Sequence, residues 1–261
     1  MNLHLALAAA AALVALAFGL CTWERYLARR RRHELMWTIA LGLFALASAA
    51  LWLGAAVGWA PWNFRLFYLF GAILNVPFLA LGTVYLLGGT RRGDIATAVV
   101  SVACAFAAGV LAVAPSGAIT DRATLPSGKD VYGLLPRILG ATYSGVAATV
   151  IVVGAVWSAV RLLRGRRRPG VAAAPGPVRP GRLAAANILI AVGTVVTGAS
   201  GVMNGVLDQM DAFSVLLVAG ISLIFGGFLL TNTAAPTARP ALRSLSWLDE
   251  EPGPTCSSES A

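Results

Sequence analysis

The order of apolar and charged positions partitions this chain before any other property is considered. Seven stretches contain no Asp, Glu, Lys or Arg: 1–23, 35–64, 66–90, 95–120, 138–160, 183–207 and 212–238. The shortest has 23 residues, and a helix needs about 20 apolar residues to cross a hydrocarbon core of ~30 Å. Each stretch therefore holds one membrane span. The pattern predicts an all-α, polytopic membrane protein with seven transmembrane helices, near 3–22, 37–59, 64–88, 95–114, 138–162, 183–206 and 212–232. Residues 164–182 are Pro, Gly, Ala and Arg with few bulky apolar groups, which reads as a flexible linker. The chain thus divides into a membrane domain over 1–235 and a disordered, polar tail over 236–261.

The basic residues orient these spans. Arg25 and Arg29 to Arg32 follow the first span, and Arg91 and Arg92 the third. Arg161, Arg164, Arg166, Arg167, Arg168, Arg179 and Arg182 follow the fifth, and Arg239 and Arg243 the seventh. Those sixteen lie on one side; Arg65, Arg122, Lys129 and Arg137 lie on the other. Positive loops stay in the cytoplasm, so the amino terminus is expected outside and the carboxyl terminus inside. Trp23, Trp37 and Trp157 then fall at the inner boundary, with Trp52, Trp59 and Trp62 towards the outer one.

Composition agrees with this division. With 58% of residues hydrophobic and 12% charged, the chain carries more apolar surface than a soluble domain could bury. Nineteen of the twenty basic residues are Arg, and the abundance of Ala, Gly and Pro beside them suggests a GC-rich genome. The expected location is therefore a bacterial plasma (inner) membrane. The net charge of +9 is not read as nucleic-acid binding, because the Arg clusters abut spans. Arg29, Arg30, Arg31, Arg32, Arg166, Arg167 and Arg168 are instead expected to meet anionic lipid headgroups. The first span is not read as a cleavable signal, since its positive charge follows the apolar run.

Several chemistries find no support in the residue pattern. Cys21, Cys104 and Cys256 show no disulfide or metal spacing, and His4 and His33 are expected on opposite faces of the membrane. No span has an Asp, Glu, Lys or His at mid-depth for a proton relay, and span 7 has no Lys for a Schiff base. Neither a catalytic residue, a cofactor nor a metal ligand is expected.

The informative polar positions lie in spans 3, 5 and 6. Tyr68, Gly71, Asn75, Phe78, Gly82 and Tyr85 recur near one helical face, with Arg65 one turn above Tyr68. Asn75 lies about 16 Å along the helix from Phe64, near mid-membrane, and Pro77 removes a backbone donor beside it. Span 6 carries Asn187, Thr194, Thr197, Gly201, Asn204 and Asp208, and span 5 carries Tyr143 and Ser144. Arg65, Tyr68, Asn75, Pro77, Tyr143, Ser144, Thr197, Asn204 and Asp208 are accordingly the candidate ligand-binding residues, in an outward-opening polar pocket between these spans. The same stripes also suit plain helix packing, since small and hydroxyl residues permit close approach and interhelical hydrogen bonds.

Spans 1–3 and 5–7 run in the same directions. Both halves open with an apolar helix ending in Trp and an Arg block, Trp23 with Arg29 to Arg32 against Trp157 with Arg164 to Arg168. Ala40, Gly42 and Gly54 of span 2 align with Ala191, Gly193 and Gly205 of span 6. This spacing fits a parallel repeat of three spans, one span and three spans. Two functions follow from the sequence. One is a non-enzymatic protein that binds or passes a small neutral or lipid-like solute. The other is an interaction protein (a subunit, assembly factor or sensor) that meets a partner through its Arg-rich cytoplasmic face.

Overall fold

The structure, a computed structural model, describes residues 3–165, 180–207 and 210–232, and every regular element among them is a helix. In chain order these are α1 (Leu3–Arg29), α2 (Arg32–Val57), α3 (Pro61–Tyr68), a π-helical turn (Leu69–Leu74), α4 (Asn75–Val113), α5 (Gly128–Val131), α6 (Leu134–Gly165), α7 (Pro180–Leu207) and α8 (Met210–Asn232). Six helical runs are long and apolar enough to cross a membrane. Their outer faces are apolar too: Val102 and Val113 are 72% and 84% exposed, beside Leu13, Leu20 and Trp157. Continuous exposed apolar surface of this kind suits lipid rather than water, and the chain is a multi-pass membrane helical protein.

One of the six runs, Pro61–Val113, has 53 residues. As a straight rod it would hold Arg65 and Ala112 about 70 Å apart. Instead the guanidinium of Arg65 donates to the carbonyl oxygens of Ala112 at 2.9 Å and Ala114 at 2.7 Å. The run therefore folds back on itself, and it does so at Gly89, whose φ of 78° and ψ of 178° lie in a region that only glycine occupies readily. A clasp closes the bend. Tyr85 donates to Asp94 at 2.7 Å, Thr97 donates to Tyr85 at 3.1 Å, and Arg32 from the start of α2 pairs with the same Asp94.

The long helices close into a ring in which α1 meets α2, α2 meets α4, α4 meets α6, α6 meets α7, α7 meets α8, and α8 returns to α1. Close approach at three of these seams depends on glycine. A side chain at Gly82 would strike Trp37 of α2, one at Gly154 would strike Thr83 of α4, and one at Gly220 would strike Thr197 of α7. The limb of α4 before Gly89 belongs to this ring. At the end remote from the Arg-rich turns, the segment between α4 and α6 folds over an aromatic cluster. Phe64 stacks on Tyr132 with centroids 5.7 Å apart, and the backbone N–H of Trp59 donates to the Arg122 carbonyl at 2.8 Å.

The helices overrun the expected spans at their basic ends, so the first Arg-rich connection is only Arg30 and Arg31, with Arg29 in α1 and Arg32 in α2. Part of the expected linker is likewise helical, as α6 runs to Gly165 and α7 starts at Pro180. Its remainder, with Arg166, Arg167 and Arg168, and the tail over 236–261 lie outside the described residues.

Candidate functional site

A partly open cavity of about 110 Å³ lies between the long helices. All six long helices contribute to its wall: Phe18 from α1, Trp37 from α2, Leu79, Thr83 and Leu86 from α4, Ile151 and Ser158 from α6, Asn187 and Ile190 from α7, and Ile224 and Phe228 from α8. Each of these residues lies in the part of its helix nearer the Arg-rich connections. Two glycines give the wall its shape. Without a Cβ, Gly82 admits the indole of Trp37 against the α4 backbone, and Gly154 admits Thr83 and Leu87. The wall is apolar apart from Thr83, the indole N–H of Trp37, and the pair in which Asn187 Nδ2 donates to Ser158 Oγ at 2.9 Å. A volume of this order accepts a group the size of a benzene ring, since an engineered apolar cavity of ~150 Å³ does so.

Beyond the cavity, towards the Arg-rich connections, lies a polar network between α1 and α2. The Nε and a terminal nitrogen of Arg25 reach Oε1 of Glu34 at 3.1 and 3.0 Å. Thr38 Oγ1 lies 2.9 Å from the carbonyl oxygen of Glu34 and 3.0 Å from Thr22 Oγ1, which in turn donates to the Gly19 carbonyl at 2.8 Å. Glu34 and Thr22 are both fully buried. The Arg25 guanidinium lies 4.8 Å from the centroid of the Phe228 ring, and His33 packs edge-on to Trp37. A carboxylate held out of water needs this compensation, because an unpaired buried charge is very costly.

Of the residues expected to form an outer pocket, the described ones lie beyond the cavity on the side away from the Arg-rich connections, and none of them lines it. Arg65 spends its terminal nitrogens on the Ala112 and Ala114 carbonyls. Tyr143 donates to the Ala103 carbonyl at 3.1 Å. Ser144 donates to the Ala72 carbonyl at 2.5 Å, inside the π turn. That carbonyl lies one wide turn before Pro77, which has no N–H to return to it. Thr197 donates to the Gly193 carbonyl of its own helix at 2.9 Å. Tyr68 packs against Tyr132 with centroids 5.3 Å apart. Burial pushes the Tyr132 phenol above its ordinary range, opposed by the nearby Arg65 guanidinium. Asn75 is buried beside Pro77, and its Oδ1 has no hydrogen-bond partner among the described residues. The side chain of Asn204, and Asp208 altogether, lie outside the described residues. Spans 3 and 5 are thus joined by the bond from Ser144 to a backbone carbonyl, beside the apolar packing of Ala80 on Ala147 and Ile151.

Sequence reasoning missed Arg25, Glu34, Thr22 and Thr38. Glu34 opens the second apolar stretch and reads there as loop residue; its pairing across a two-residue turn has no local signature. Asn187 is the one cavity residue that the span 6 stripe includes. Among the described residues no three His, Cys, Asp or Glu side chains stand together as a metal site would require. Comparison with protein-family models, with curated proteins and with solved structures finds no match to the chain.

Proposed function

We propose that this chain is a seven-span protein of a bacterial plasma membrane that binds, or passes by facilitated movement, a small neutral or lipid-like solute. The observation that carries the reading is the cavity shared by all six long helices, apolar except for Thr83, Ser158, Asn187 and the Trp37 indole. A largely apolar hollow with a few polar groups is the usual form of a small-molecule site. Its position moves the proposed site from the outer half of spans 3, 5 and 6 to the Arg-rich, inner end of the ring.

The outer polar residues keep a part in this proposal. Asn75 precedes the wall residue Leu79 by one turn, and Ser144 precedes Ile151 by two, so both continue cavity-lining stripes outward. A solute path would run along those stripes past Asn75. The seventh span in this reading comes from the bend at Gly89, which makes two crossings of the 53-residue run. The ring also supports a repeat of three, one and three spans. Its neighbours fall into two consecutive trios, α1–α2–α3/α4 and α6–α7–α8, with the limb after Gly89 between them in sequence.

Native mass spectrometry of the full chain in lipid nanodiscs tests the proposal, with wild type beside Asn75→Leu and Ala155→Phe, the latter placing a ring in the cavity from a wall residue of α6. A defined small mass on wild type that is absent from Ala155→Phe is the expected result. Loss from Asn75→Leu alone would return the site to the outer half. If all three carry only bulk lipid, the proposal fails, and deletion of 240–261 becomes the test of the interaction reading.

A further inference from the structure

Three of the helices that wall the cavity grow more polar in the same direction. On α6 the wall face reads Ile151, Gly154, Ala155 and Ser158, and its next position towards the Arg-rich end is Arg161. On α7 it reads Ile190 and then Asn187, whose amide is bonded to Ser158. On α4 the wall ends in Leu86 and Leu87. Past the bend at Gly89, Arg92 folds back, with Cβ and Cδ 3.4 and 3.5 Å from where a Cβ on Gly88 would stand.

The cavity opens at the same place. Leu86 and Leu87 are 52% and 46% exposed, whereas Phe18 of α1 and Ile224 and Phe228 of α8 are buried. Leu87 reaches Gly154 of α6, so the opening lies along the seam of α4 and α6. Arg92 and Arg161 stand at its Arg-rich end, both exposed and neither in an ion pair among the described residues. Neither α6 nor α7 contains an acidic residue. Asp94, near Arg92 in α4, is held by Arg32 and Tyr85, and Glu34 is held by Arg25. Glu24 lies on α1, which packs on α2 and α8. The mouth of the cavity thus carries positive charge without a counter-ion.

We infer that the cavity takes the end of an apolar chain bearing an anionic head, a carboxylate or a phosphate, which enters between α4 and α6 and leaves its head on Arg92 and Arg161. This rests on the reading of the cavity as a ligand site and selects the lipid-like member of that reading. Volume and charge both support it. A hollow of about 110 Å³ holds a group near the size of a benzene ring, so a chain end fits and the remainder lies along Leu86 and Leu87. Guanidinium groups bind carboxylate and phosphate through charge-assisted hydrogen bonds, which are stronger than neutral ones.

Photo-crosslinking of the full chain in phosphatidylcholine nanodiscs tests this, with four probes that share one saturated chain ending in a diazirine. Their heads are phosphate, carboxylate, hydroxyl and trimethylammonium. Peptide mass spectrometry reads labelling of Ile151 and Ile224, in the wall, relative to Val102 on the outer surface, which corrects for partition into the bilayer. In wild type an anionic probe should label the wall on the order of tenfold more than the alcohol, the scale of one charged hydrogen bond. An excess for phosphate assigns a phospholipid as the source, and an excess for carboxylate a free acid. In Arg92→Gln with Arg161→Gln that excess should disappear; its survival overturns the placing of the head. Equal labelling by alcohol and both anions in wild type overturns the inference even if the variant does not fold. Trimethylammonium labelling as strong as that of the anions does the same. In these cases wall labelling leaves the cavity reading standing. Failure of every probe to label the wall above Val102 overturns both.

Discussion

At Glu34 the chain places a carboxylate fully out of water one turn inside its Arg-rich boundary, beside an Arg25 that keeps 23% of its side-chain surface exposed. The two members of such a pair are not equivalent to remove. Losing the carboxylate leaves a guanidinium that is partly exposed to solvent, whereas losing the guanidinium strands a fully buried carboxylate. Arg25→Leu is therefore expected to destabilise the protein by about 3 kcal/mol, near the lower end for a broken buried pair. Arg25→Leu with Glu34→Leu should recover most of that loss, because the buried carboxylate is removed together with its guanidinium. Thermal unfolding in one detergent measures both; a double variant as unstable as the single would show that the pair does not act as a unit. Glu34 is also the residue least legible from sequence. An acidic side chain at the start of an apolar stretch looks like a solvated flank, and only the short turn over Arg30 and Arg31 brings it to Arg25.

At the scale of elements, the run from Pro61 to Val113 shows two departures from α geometry with different origins. Gly89 bends the backbone through a conformation forbidden to side chains, and the Tyr85, Asp94, Thr97 and Arg32 clasp holds the result. The π turn over Leu69–Leu74 instead widens the helix before Pro77 and leaves the Ala72 carbonyl for Ser144 on α6. The bond from Ser144 is thus tied to the missing proline donor. Ser144→Ala should cost about 1 kcal/mol by removing the donor to a part-buried carbonyl. In a Pro77→Ala background, where a backbone N–H is restored, the same change should cost appreciably less. A double-mutant cycle on thermal stability checks the coupling, and purely additive losses would disprove it. Pro77 and Ser144 were both legible as unusual residues within spans. Their relation was not, because it joins positions 67 residues apart through a backbone group that has no sequence identity.

For the molecule as a whole, a ring of helices places small residues such as Gly82, Gly154 and Gly220 at the seams and leaves Leu, Val and Ile exposed on the outside. The ring alone does not orient itself in a membrane; the asymmetry of basic residues does. Alkaline phosphatase fused after residue 125 should be active, and fused after residue 172 inactive, while a fluorescent protein at the carboxyl terminus should fluoresce. Activity at 172 would reverse the assigned orientation, and activity at both 125 and 172 would mean that α6 does not cross.

The residue pattern by itself determined where the membrane-length helices lie and which ends carry positive charge. These follow from composition counted over about 20 residues, because the cost of placing charge in hydrocarbon is paid locally. It also marked Asn75, Pro77 and Ser144 as out of place in apolar helices. Only the tertiary structure decided which of the polar residues meet. It drew the cavity to the Arg-rich end, spent Arg65, Tyr143 and Ser144 on backbone carbonyls, and joined Arg25 to Glu34. The physical reason is that helices apolar all round, such as α2 and α8, carry little information about which face turns inward. That choice is made by close fits such as Trp37 on Gly82 and Thr197 on Gly220, which depend on the shapes of two helices at once.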